Sequence, residues 1–148
     1  MKRSISSYLA SGLVSCALAV GASTSLLAQS YAVAKAEIPF AFQVGSKVLP
    51  AGTYTFIKDS QSIMQLHGKS AEAHALSMVL PQTNPTAPKV GRVTFNKYGD
   101  RYFLTSLTSS DSSTAYAWTT SNQEKAIIRE LKNQQANQVA VNVMPTQH

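Results

Sequence analysis

His67 and His74 stand on either side of Gly68, with Glu72 between them. Imidazoles on neighbouring segments can meet on one face of a hairpin. A zinc or copper ion held there would want a third and a fourth ligand, and Glu72 is the nearby carboxylate. This defines one reading of the chain: a small hydrolase or other metal-dependent enzyme using His67 and His74. The competing reading makes both histidines ordinary polar strand residues. The remaining histidine, His148, is the last residue of the sequence. No Gly-x-Ser-x-Gly elbow, His-Glu-x-x-His helix or Cys-x-x-Cys pair occurs. Serine and threonine are abundant, but a hydroxyl becomes a nucleophile only beside an organised base. No cofactor is implied.

A second constellation is aromatic. Arg101 is flanked by Tyr98, Tyr102 and Phe103, and a later segment carries Tyr116 and the only tryptophan, Trp118. Aromatic faces and a guanidinium fork suit an acidic or glycan ligand. The same residues have structural uses: Asp100 can satisfy turn amides, and Arg101 can lie across a tyrosine or pair with Asp111. Exposure separates the two. Tyr98 and Tyr102 standing exposed beside Tyr116 or Trp118 would favour binding, and their burial would count against it.

Charge excludes one partner class. Three of the 13 Lys and Arg residues, Lys2, Arg3 and Lys35, lie in the first 36 residues, leaving ten against all seven carboxylates, a net charge of +3 rather than +6. No run of cations remains, and Asp59, Asp100 and Asp111 interrupt the basic positions. A phosphate-tracking protein needs clustered cations, so nucleic acid is not an expected partner.

The start of the chain has the order of a secretory signal peptide. Lys2 and Arg3 precede an Ala, Leu, Val and Ser-rich stretch over residues 5–28, and the first carboxylate is Glu37. Three places offer small residues at the two positions a signal peptidase reads: Ala28-Gln29-Ser30, Ala32-Val33-Ala34 and Ala34-Lys35-Ala36. The expected division is a signal peptide over residues 1–36 and a single β-rich domain over residues 37–148. The protein is then secreted or periplasmic, with no membrane span after cleavage. Leu13-Val14-Ser15-Cys16 has the form of a lipoprotein box, so lipid anchoring through Cys16 is the alternative. The domain after residue 36 has no cysteine and is held by its apolar core.

The elements that must position these residues are short alternating segments. Residues 38–44 place Phe40, Phe42 and Val44 on one side of a strand, with Pro39 near its start. Residues 45–52 form the loop of a first hairpin, ending in the turn Leu49-Pro50-Ala51-Gly52, and residues 53–58 resume as a strand. Strands follow at 63–67 and 73–80. Residues 81–88 hold three prolines and are expected to leave the sheet. Residues 89–98 and 101–108 flank Gly99-Asp100, the clearest hairpin signal. Residues 113–120 form a further strand. Ser121-Asn122-Gln123-Glu124 is a capping box, in which the Ser121 oxygen accepts the Glu124 amide and the Glu124 carboxylate answers the Ser121 amide. The helix it starts is expected to reach about Gln134, and Val139, Val141 and Val143 suggest a last strand.

The segments Ile38-Pro39-Phe40-Ala41-Phe42 with Gly45, Leu49-Pro50-Ala51-Gly52-Thr53-Tyr54, and Phe95-Asn96-Lys97-Tyr98-Gly99-Asp100-Arg101-Tyr102-Phe103-Leu104 resemble a family of small, secreted, largely uncharacterised β-rich proteins of acidobacterial-type bacteria. The resemblance implies export and a β fold, and carries no reaction or ligand. The expected architecture is mainly β: an antiparallel seven- or eight-stranded small barrel, open at one side, or a sandwich, with one C-terminal helix across an edge or an open end. The expected function is that of a non-catalytic exported domain binding an envelope component, a glycan or a protein.

Overall fold

The computed structural model describes residues 30–131 and 135–144. In chain order the elements are β1 (Tyr31–Ile38), β2 (Phe42–Val44), β3 (Lys47–Leu49), β4 (Gly52–Ser60), β5 (Ile63–His67), β6 (His74–Thr83), β7 (Arg92–Tyr98), β8 (Arg101–Thr108), β9 (Thr114–Trp118), α1 (Asn122–Glu130) and β10 (Asn137–Met144). Eight strands form an antiparallel barrel in the order β1-β4-β5-β6-β9-β8-β7-β10, with β10 returning to β1. The ring closes because β9 pairs with β6 on one side and β8 on the other. The expected eight-stranded antiparallel barrel with one C-terminal helix is thus the fold, and its closure removes free edges. The apolar leader stretch, Cys16 and His148 lie outside the described residues.

The first strand includes residues 31–36, which the sequence reading placed in the expected signal peptide. They belong to β1, which joins β4 to β10. Ala34 and Ala36 are fully buried and stand in register with Phe56 and Tyr54. Small side chains opposite large ones are how a narrow barrel fills its interior. Pro39, without an amide hydrogen, falls in the gap between β1 and β2, and so splits the strand expected over residues 38–44.

Residues 45–52, expected as a loop, contain β3. Gly45, at φ +59°, lets the chain reverse within two residues, and Val44 pairs with Lys47. The β2–β3 hairpin lies along the first half of β8, where β9 does not reach. Gln43 is in parallel register with Phe103 of β8, and the Lys47 ammonium donates to the His74 carbonyl of β6. The hairpin thus fills the wall beside the short β9 and sends Phe42, Val44 and Leu49 into the core.

Pro81 does not end β6, which continues to Thr83. Pairing with β5 stops at Met78, while β9 pairs with residues 79–83. Pro81 therefore has a strand partner on one side only, and its missing N–H costs no ladder bond. The β7–β8 hairpin turns at Gly99-Asp100, with Gly99 at φ +59° and Tyr98 paired to Arg101.

Helix α1 starts at the expected cap: the Glu124 amide donates to Ser121 Oγ at 3.1 Å. The other half of the box is absent. The Glu124 carboxylate instead accepts from Asn96 Nδ2 at 2.9 Å and from the Tyr98 hydroxyl at 3.2 Å, which anchors the helix to β7. Ile127 packs with Tyr98 and Phe103, so the helix covers the outer side of the β7–β8 hairpin rather than an edge or an open end. It ends at Glu130, with Leu131 as its C-cap, short of Gln134.

Candidate functional site

The barrel has one rim where β1 and β9 begin and β4 and β8 end. On β4, Tyr54, Phe56 and Lys58 share one side by the two-residue period; the first two are fully buried, and Lys58 is the last residue of that inward row. Tyr31 is its register partner on β1. The Lys58 ammonium lies 5.8 Å from the centre of the Tyr31 ring and 5.7 Å from that of Tyr116. Both distances are within cation–π range. Tyr31 is 53 % exposed and Tyr116 only 4 %, so the cation joins an outer ring to an inner one.

These residues border a cleft of about 630 Å³ whose other wall is the loop of residues 109–112. That loop is Ser109-Ser110-Asp111-Ser112, and Asp111 adopts φ +55°, a left-handed conformation that Asp tolerates better than most residues. Ser109 Oγ donates to the Val33 carbonyl at 3.1 Å and fastens the loop to β1. Burial pushes the Tyr116 phenol above its ordinary pKa; the neighbouring Tyr31 side chain acts in the same direction, and the Lys58 ammonium opposes them. The site offers an ammonium, two phenols, a row of serine hydroxyls and one carboxylate. Such a set can hydrogen-bond a polyhydroxylated ligand and hold an acidic group against Lys58.

The aromatic residues singled out in the sequence do not share one surface. Tyr98 is buried beneath α1, and burial, then the charge and hydrogen bond of Glu124, push its phenol up, with Asn96 opposing. Tyr102 is half-buried and stacked on Phe40, ring centres 3.8 Å apart. Arg101 is exposed at the β7–β8 turn. Trp118 is 8 % exposed and edge-on to Phe56 in the core, and its Nε1 has no partner among the described residues. Tyr98 and Tyr102 thus do not stand exposed beside Tyr116 or Trp118, the arrangement that would favour binding. Tyr116 alone of the five borders the Lys58 cleft.

His67 and His74 do meet. They are register partners at the end of the β5–β6 ladder, with ring centres 4.8 Å apart and planes at 73°. His67 Nε2 is 2.9 Å from Gln65 Oε1. The third ligand fails to arrive: among the described residues no group of three or more His, Cys, Asp or Glu could hold a metal, so Glu72 does not complete a set.

Lys58 and Tyr31 were missed by the sequence reading. Lys58 carried a usable signal, since the pattern Tyr54-x-Phe56-x-Lys58 puts a cation in phase with two core aromatics. Tyr31 had none, because it fell within the residues expected to form the signal peptide. No protein family, curated protein or solved structure matches the chain.

Proposed function

We propose that this protein is an exported, non-catalytic domain that binds an acidic or hydroxyl-rich envelope component, a glycan foremost, at the barrel rim around Lys58. The observation that carries the reading is the placement of Lys58. An inward position following Tyr54 and Phe56 would hold an apolar residue if packing were its only task, yet it holds an ammonium between two tyrosine rings beside an open cleft. Export is supported by Lys2, Arg3 and the apolar stretch that follows. The resemblance to small secreted bacterial proteins points the same way. No helix among the described residues is long and apolar enough to cross a membrane.

Titration of the exported protein with acidic glycans and envelope fragments, read by tyrosine and tryptophan fluorescence, tests the proposal. Lys58→Met removes a charge-assisted contact of about 1.5–3 kcal/mol and should weaken binding about 10- to 100-fold. Equal affinity of the variant, or tighter binding to random DNA at physiological salt, would refute it. A second reading, a metal-dependent activity at His67 and His74, is favoured by their 4.8 Å ring separation. It requires saturable zinc or copper binding that His67→Ala abolishes.

A further inference from the structure

We infer that the signal peptide is cut between Ser30 and Tyr31, so that the exported protein begins with the first residue of β1. The inference rests on the export reading and selects among the three cut sites that the sequence leaves open. Each has small residues at the first and third positions before the cut: Ser30 and Ala28, Ala34 and Ala32, Ala36 and Ala34. The barrel tolerates only the first.

A cut after Ala36 would remove Lys35 and Ala36, whose pairings with Met144 and Val143 are the whole register between β1 and β10. The ring would open there, and the core would lose two fully buried side chains that stand opposite Phe56 and Tyr54. A cut after Ala34 would spare that seam. It would still remove the pairings of Tyr31, Ala32 and Ala34 with β4, the bond from Ser109 to the Val33 carbonyl, and the tyrosine ring that faces Lys58. A cut after Ser30 removes no β1 residue, because β1 starts at Tyr31. It also sets the freed α-ammonium on a residue that borders the Lys58 cleft.

The full chain should be expressed in a Gram-negative host and the periplasmic and secreted fractions analysed by intact mass and N-terminal sequencing. An N-terminus at Tyr31 is the expected result. Exported protein beginning at Lys35 or Glu37 would overturn the inference and leave export standing. An intact Met1 in the cytoplasm, or a lipidated Cys16, would overturn the inference together with release from the cell. As a second measurement, chains comprising residues 31–148 and 37–148 should be compared by thermal melting. The longer should unfold in one cooperative transition and the shorter should show none. Equal melting temperatures would refute the structural argument even if the natural terminus were Tyr31.

Discussion

At the rim where β7 ends and β8 begins, Phe40 lies flat on Tyr102 and edge-on to Phe95, while Phe42 meets Phe95 and Tyr54 edge-on at 5.3 and 5.1 Å. The Tyr54 hydroxyl, the polar atom that would otherwise be stranded there, donates to the Pro50 carbonyl at 2.6 Å. At the opposite rim the inward row on β4 ends in Lys58, and the chain leaves a cleft walled by serines. One rim is filled by stacked and edge-on rings, with the Tyr54 hydroxyl bonded within the chain. The other keeps a cation and hydroxyls facing an opening. Packing is concentrated at the first, and a charged, hydrated rim such as the second adds little to the core; the proposed ligand would sit at the second.

The largest effect that would test this contrast is Phe42→Ala. Removing a ring that is 1 % exposed and touches two others should cost about 3–5 kcal/mol, seen as a lower urea midpoint at unchanged slope. A loss no larger than a surface substitution's would show that the aromatic rim is not where stability resides. Next comes Glu124→Ala, which strands the Tyr98 hydroxyl and the Asn96 amide under the helix and should cost about 1–3 kcal/mol. Circular dichroism should show helix α1 loosening before the sheet unfolds.

Alkaline titration probes both rims at once. Burial raises the pKa of Tyr54, Tyr98 and Tyr116 in the folded protein. The unfolded chain therefore releases these protons first, starting near pH of about 10. The stability they contribute is present below that pH and is lost as pH rises through the folded values. Urea midpoints should fall above it, and Tyr54→Phe should flatten the fall; a flat profile in the parent protein would contradict the burial of these phenols. The smallest effect belongs to Lys58→Met, which should alter stability by no more than about 0.5 kcal/mol while weakening binding of the proposed ligand about 10- to 100-fold. A destabilisation comparable to that of Phe42→Ala would make Lys58 a structural residue and erase the distinction between the rims.

Local rules read from the sequence determined the elements whose causes are local. Gly99-Asp100 sets its hairpin because glycine accepts the φ of +59° found there, and Ser121 caps α1 because its oxygen reaches an amide three residues on. The alternation of Phe42 with Val44 named core residues that are buried in the barrel, whereas the alternation over residues 53–58 left open which row faces inward, and the barrel buries Tyr54 and Phe56. The juxtaposition of His67 and His74 followed from a short hairpin. Tertiary structure decided what depends on partners distant in the chain. Tyr-Ala-Val-Ala-Lys-Ala reads equally well as the end of a leader or as a strand, since alanine has no strong preference, and it becomes β1 because Phe56 and Tyr54 on the adjacent β4 leave alanine-sized space beside them. Glu124 turns from its own helix cap to Asn96 and Tyr98, which the closed β7–β8 hairpin brings beneath it. Lys58 is placed between Tyr31 and Tyr116 by the register of β1 and by the turn that starts β9, neither of which a two-residue period can reveal. Periodicity specifies which side of a strand a residue occupies; only the pairing of strands specifies what stands opposite it, and the site is made of opposites.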